Sequence, residues 1–598
     1  MSVVKWSDHF FFERQNCSVE DIENSSLLIE LRDKRFLVAD SLIGSYAMDL
    51  TYVYFQPGHA LIHKWIALAN AESADYSAIK GYLKLGIAVM GEGDEQVDLA
   101  VAESGEMKDE DMLLPPQIQP KACQLVIRAV KAEGLPKMDI GGTIDAYLEC
   151  EFAGSHIKSK VVIADDANFC VEWYEDLYIP AVIPTVSGKL RVRVWDYDAG
   201  MRDDLVGTIV FDFEELLNEM KPGATKCFGN YFWANIYGAP MKGTSGSFKE
   251  KMNSDPRLAS YWRGRVLLLI KVIETEKPRL MVQPVVDPTL KKFIDDNYDG
   301  GNDYELRCQV YGGACLPQVG KQLRVMVKWG HQETASLSVA NVNGACEWYE
   351  TLKRKAINSP SENFSDLPDV FVYLMQDDTI IAYMRLLPKN CRDIQVEADW
   401  MQLIPDKSTG VVDKDWEAGF IRLRVYVGKT NGGEDQSQGG WNQKLIKPPV
   451  GNKMLLANIF QCRNLPSADS NGKADPYVVV KCGPSEALTG KKERMNNLNP
   501  IWYRTLSLPV SCNSKLDAPP IVIQVWDYDT IGSDDLMGMY LAKVRTSQMP
   551  DASDDSLTFQ KPRWCKLYMG MSSGLGEILV SFNLVSATIR PPPSFELK

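Results

Sequence analysis

WDYDAGMRDDLVG at residues 195–207 and WDYDTIGSDDLMG at residues 526–538 are one motif written twice. Each trails an earlier loop of matching design, LPKMDIGGTIDAYL at 135–148 and LPSADSNGKADPYV at 465–478. The earlier loops space their aspartates by six, Asp139 to Asp145 and Asp469 to Asp475. The later loops place aspartates at offsets of zero, two and eight: Asp196, Asp198 and Asp204, then Asp527, Asp529 and Asp535. Five carboxylates at one spacing, repeated about three hundred residues further on, are not a product of chance.

Carboxylates packed this densely repel one another, and a cation relieves the repulsion. Calcium takes six to eight hard oxygen ligands in flexible geometry, which suits aspartate. A helix–loop–helix calcium hand is excluded, because it needs one contiguous loop closed by glutamate. Here the ligands come from two loops far apart in sequence, so a tertiary fold must bring them together. QLVIRAV and AYLECEF flank the first loop and KLRVRVW and LVGTIVF flank the second, and all four read as strands. The rival reading of the same acids is solvated loop surface at the end of a sandwich.

These strings resemble the C2 domain over residues about 120–277 and 451–589. The likeness lies in the LP-x-x-D-x-x-G-x-x-D-x-Y loop, the W-D-Y-D string and the closing D-L-x-G. Ala146 departs from it, standing where the family usually has proline. The resemblance implies an all-β chain of tandem C2-type, eight-stranded antiparallel sandwiches with flexible linkers, binding Ca2+ at one end of each acid-bearing sandwich.

With 598 residues the chain should hold about three to five domains. Its 45% apolar content is that of ordinary globular protein, and its net charge of −14 opposes nucleic acid and bare anionic lipid. No nucleic-acid motif stands out. The longest apolar stretch, VLLLIKVI at 266–273, is interrupted by Lys271 and far too short to cross a bilayer. The N-terminus lacks a signal-peptide pattern. Thirteen cysteines without a C-x-x-C pair argue for a reducing compartment, so the expectation is a cytoplasmic protein peripheral to membranes.

The repeat extends beyond the two acidic copies. A tryptophan recurs in strand-like surroundings at Trp6, Trp173, Trp348 and Trp502, each followed by an apolar strand ending in acids. Four sandwich-like units follow. Residues 1–95 begin at the mid-domain tryptophan, so the front half of a sandwich is missing. The exposed strand edges this leaves call for packing on a neighbour, completion by a partner, or a longer natural chain. Residues 96–119 read as an acidic linker, 278–303 and 431–450 as further linkers, and 590–598 as a proline-rich tail. In the third unit, 304–430, Asp377 and Asp378 lack the remaining ligands, so no calcium is expected there. DLTYVYFQPGHALIHKWIAL in the first unit resembles the FerI segment of ferlins, and LPDVFVYLMQDDTIIAYMRLLP in the third resembles FerB. The whole chain therefore resembles an interior slice of a ferlin.

Apolar tips flank the acidic loops: Met138, Ile140 and Met201 at the first, Ile531 at the second. Insertion into lipid and capping of the sandwich core are both open for Met138 and Ile140. Lys158 and Lys160, with Lys491, Lys492 and Arg494, are headgroup candidates, against the plainer reading of solvated surface. His59 and His63 stand four apart, but no further ligand lies nearby, so a structural role is expected. Nucleophile elbows, phosphate-binding glycine loops and zinc-protease helices are missing, and five histidines leave little material for acid–base chemistry. No enzyme is expected. The resemblance implies calcium-dependent binding of anionic phospholipid membranes in vesicle trafficking, docking or fusion, with trafficking or cytoskeletal proteins as further partners. The alternative is a scaffold whose sandwiches bind proteins.

Overall fold

A computed structural model describes residues 4–588 except 7, 14–16, 18, 36–39, 71–78, 92–93, 95–96, 98, 100–110, 114–120, 139–142, 165–168, 220–229, 242–246, 299–300, 360–361, 413–417, 431–439, 469–471, 531, 543–560 and 570–571. The chain forms two compact units, one mainly before Pro288 and one mainly after it. Strands dominate throughout, in antiparallel pairs.

The first unit holds the first complete sandwich, built from the second of the four sequence repeats; the third and fourth sandwiches are numbered by their repeats. One sheet orders Phe232–Gly238, Tyr261–Glu274, Lys121–Glu133 and Val171–Ile183. The other orders Asp204–Asp212, Lys189–Asp196, Asp145–Phe152 and Ser155–Lys158. Those are the eight strands of the expected fold. Their inward residues, such as Leu125, Ile127, Leu148, Val192 and Leu268, are 0% exposed and form one core. Trp173 is buried in it and donates from Nε1 to the Ala146 carbonyl at 3.4 Å. Gly207 is required: a Cβ there would lie 2.6 Å from both Ile236 Cγ2 and the Tyr237 carbonyl oxygen.

The N-terminal segment packs on this sandwich. It comprises two hairpins, Ser26–Asp33 with Ser41–Asp49 and Ala60–Leu68 with Gly81–Ala88. Buried Asp49 accepts the Gly188 N–H at 2.8 Å, Lys189 donates to the Glu23 carbonyl at 2.6 Å, and Arg191 donates to the Asn24 carbonyl at 2.9 Å. His59 sits in a short 3-10 turn and His63 in a strand at a register shift, so they do not share a helix face.

Residues 278–303 depart from the linker expectation. Met281–Pro284 adds to the open edge of Val171–Ile183, pairing with residues 175–178 and satisfying backbone groups there. Pro288–Tyr298 then forms a helix, and Asn302–Ala314 begins the next sandwich.

That third sandwich, in the second unit, stacks a sheet ordered Cys346–Thr351, Asn302–Ala314, Phe420–Lys429, Asp399–Gln402 on one built around Gln322–Trp329, Val370–Gln376 and Thr379–Leu386. Asp377 and Asp378 are the two turn residues of the hairpin Val370–Gln376 with Thr379–Leu386, and Asp377 has φ of +53°. Turn chemistry accounts for them. Beyond residues 431–439 the stretch read as a linker is anchored: Trp441 is buried, donates to the Ile394 carbonyl at 2.9 Å and lies under the Arg424 guanidinium. The fourth sandwich runs Ser485–Leu488, Pro476–Cys482, Ile521–Asp527, Asp535–Ala542, Arg563–Met569, Ser572–Ser586, Lys453–Arg463, Ile501–Val510 in continuous order. Trp348 and Trp502 are buried like Trp173, whereas Trp6 is 53% exposed. No disulfide joins the described cysteines.

Candidate functional site

Strand register builds the two acidic sites alike. In the first sandwich Asp196 ends the strand Lys189–Asp196, and antiparallel pairing sets it opposite Asp204 on one side and Ala146 on the other. Asp145 is thereby its diagonal neighbour, and the Asp145 N–H donates to Asp196 Oδ1 at 2.8 Å. In the fourth sandwich Asp527 stands opposite Asp535 and Pro476, and the Asp475 N–H donates to Asp527 Oδ1 at 2.5 Å. The loop main chain returns the bond in both copies: Tyr197 N–H to the Asp145 carbonyl at 2.9 Å, and Tyr528 N–H to the Asp475 carbonyl at 3.0 Å.

Burial grades the acids identically. Asp196 and Asp527 are each 2% exposed at the floor of their site. Asp145, Asp198, Asp475 and Asp529 are half-buried, and Asp204 and Asp535 are exposed at the mouth. Asp139 and Asp469, together with the tips Ile140 and Ile531, lie outside the described residues. Among the described residues no three carboxylates, imidazoles or thiols close on one point. The donor set still fits calcium in chemistry, since it is all hard oxygen, and strand register places three aspartates per site on neighbouring strands at one end of the sandwich.

A sixth acid, outside the five-aspartate motif, sits beside each site. Asp203 Oδ2 accepts the Tyr147 phenol at 2.6 Å, and its Oδ1 accepts the Asp198 N–H at 3.2 Å. Asp534 does the same with the Tyr477 phenol at 2.6 Å and the Asp529 N–H at 3.2 Å. The signal available in sequence was the doubled D-D that precedes L-x-G in both copies. Burial and then the Asp534 bond push the Tyr477 phenol up to about 12. Burial works upward on Asp534 too, but its bonds to Lys491 and Tyr477 hold the carboxyl below its ordinary range.

The headgroup candidates fall in several settings. Lys158 donates to the Tyr147 hydroxyl at 3.1 Å and Lys491 to Asp534 at 2.6 Å; each lies 4.8 Å from the centre of its tyrosine ring. Lys492 lies over Tyr528. Lys160 is exposed, its backbone N–H bonded to Glu175. Arg494 donates to the carbonyls of Glu493 and Ile501. A shallow depression beside the second site is lined by Tyr477, Lys481, Glu486, Trp526 and Asp534. Of the apolar tips, Met138 is half-buried against the sandwich core, while Met201 is 77% exposed.

The C2 domain family matches residues 123–227 and 453–559, the two acid-bearing sandwiches. Myoferlin of Mus musculus is 24% identical over 354 residues, 54% of this chain and 17% of that protein. Ferlin 2 of Tetrahymena thermophila is 21% identical over 371 residues, 55% of this chain and 20% of that protein. The match thus spans no more than a fifth of the length of these relatives. Among solved structures, a C2 domain of plant Extended Synaptotagmin 1 is 20% identical with a TM-score of 0.20, covering 24% of this chain and 100% of that one.

Proposed function

We propose that this ferlin-like C2-domain protein binds calcium at the loop ends of its first and last sandwiches and thereby attaches to anionic phospholipid in membrane trafficking, docking or fusion. The observation that carries this reading is the doubled register, Asp196 against Asp204 and Asp527 against Asp535, each with a diagonal aspartate bonded to the floor carboxylate.

The residues divide the work by depth. Asp196 and Asp527 are tied to the neighbouring strand through a backbone N–H and form a fixed floor. Asp204 and Asp535 open to solvent and give the site its mouth. Calcium, when bound, supplies positive charge that reverses the sign of the loop end and offers coordination positions to phosphate oxygens. Near an anionic leaflet each positive charge is worth about 1 kcal/mol, so reversing several charges recruits a domain that otherwise stays in solution. Exposed Met201 adds an apolar contact at the first site. Two such domains on one chain add avidity when both reach the same surface. Among the described residues no helix is long and apolar enough to cross a membrane.

The test is co-sedimentation of the full chain with phosphatidylserine-containing vesicles, with calcium and with chelator. Calcium-dependent pelleting that is lost in an Asp198→Asn, Asp529→Asn double variant supports the reading. Pelleting indifferent to chelator overturns the switch, and no pelleting in either condition moves the protein-binding scaffold to the front.

A further inference from the structure

We infer that Asp203 and Asp534 are positioning residues for the calcium loops, each clamping the main chain of its loop to a buried tyrosine without touching the ion. The inference rests on the calcium reading for its consequence, but its geometry stands alone. In each copy one carboxylate does two things. One oxygen accepts the phenol of a tyrosine that is almost fully buried, Tyr147 at 3% and Tyr477 at 4% exposure. The other oxygen accepts the N–H of Asp198 or Asp529, the mid-loop aspartate at offset two. The distances agree between copies, 2.6 Å and 3.2 Å in each.

The tyrosine is well placed as an anchor. Tyr147 and Tyr477 lie two residues beyond Asp145 and Asp475, on the strand that follows the earlier loop. Tyr147 is paired in register with Trp195 and stacks on it at 6.5 Å, and Tyr477 is paired with Trp526. The clamp therefore fixes the later loop to the strand that the earlier loop feeds. Its weight comes from the openness of the later loop. That loop contains Gly200 with φ of +84° in the first copy and Gly532 with φ of +113° in the second, and a Cβ at either position would meet nothing within 4 Å. Carboxylate bonds from a buried phenol and a backbone amide are of the stronger kind, so one side chain suffices.

The copies differ in one respect. Lys491 pairs with Asp534 directly at 2.6 Å, whereas Lys158 reaches the tyrosine hydroxyl at 3.1 Å. The second clamp thus ties a headgroup candidate to the metal loop. An anion that captures Lys491 competes with Asp534 for it.

The test uses the full chain with the first site silenced by Asp198→Asn. Asp534→Ala, Asp534→Asn and Tyr477→Phe are compared by calcium titration calorimetry and by amide hydrogen exchange in chelator. Asparagine keeps an acceptor for the loop but lacks the charge that an ion needs. The expected result is about tenfold weaker calcium binding for Asp534→Ala, recovery to within about threefold for Asp534→Asn, and faster exchange over residues 528–534 in Asp534→Ala and Tyr477→Phe without change in Ile521–Asp527. Asp534→Asn as weak as Asp534→Ala makes Asp534 a ligand and overturns the inference. Unchanged loop exchange in Tyr477→Phe also overturns it. A parent chain that takes up no calcium defeats the calcium reading alone, and the exchange comparison still decides the clamp.

Discussion

Asp527→Asn should stabilise the fourth sandwich without calcium and weaken it, relative to the parent, with calcium. Asp527 is 2% exposed and directly opposite Asp535, with Asp475 diagonal to it. Directly paired residues on antiparallel strands have Cα atoms about 4.5–5.5 Å apart, which brings the carboxylates to about 6 Å. At an effective dielectric of about 20, two such charges repel by about 3 kcal/mol. Asp535 is exposed, so screening at physiological salt leaves about 1–2 kcal/mol. Asparagine retains the oxygen that accepts the Asp475 N–H, so that bond is kept while the repulsion goes. For a domain of this size the gain is about 3–6 °C in melting temperature. On the proposed calcium reading, calcium at about a hundredfold excess over Kd gives the parent about 2.7 kcal/mol, which the variant largely forgoes. The order of the two proteins should therefore reverse between chelator and calcium. Scanning calorimetry of the full chain, following the one transition that responds to the substitution, reads this directly. A variant that melts below the parent in chelator would show that the aspartates are not in mutual repulsion, and the charge argument for the site would be wrong.

Three further outcomes follow from the packing. Gly207→Ala drives a Cβ to 2.6 Å from Ile236 and the Tyr237 carbonyl oxygen, and should cost more than about 2 kcal/mol, while Gly200→Ala, in open space at φ of +84°, should cost about 1 kcal/mol; thermal shift ranks them. Asp406, 0% exposed, has its pKa raised by burial against the opposing bonds from Ser408 and Ser260. Its contribution to stability is full below the ordinary carboxylate pKa and declines as pH rises through the raised one, so Asp406→Asn should flatten the stability profile of the third sandwich over that interval, read by denaturant titration at a series of pH values. Iodoacetamide should modify exposed Cys17 rapidly, whereas Cys150 and Cys308, buried with thiols pushed up to about 12, should react only on unfolding; mass spectrometry of the modified sites decides this.

The sandwich class and the loops that carry both acidic clusters are legible in the order of the amino acids. Alternating and clustered apolar strands have a period that is local to each strand, and the aspartate spacing is local to each loop. The buried tryptophans Trp173, Trp348 and Trp502 were legible for the same reason. The remaining features come from contacts between distant parts of the chain. Met281–Pro284 looks like linker because a four-residue strand has no signal of its own; it forms because Val171–Ile183 presents an open edge. Trp441 is anchored through Gln309 and Ile394, groups more than forty residues before it, which no short window along the chain contains. Asp203 and Asp534 stand outside the motif because their partners, Tyr147 and Tyr477, lie 56 and 57 residues away. A hydrogen bond of that kind is created by strand pairing, so its meaning exists only once the sheet has formed.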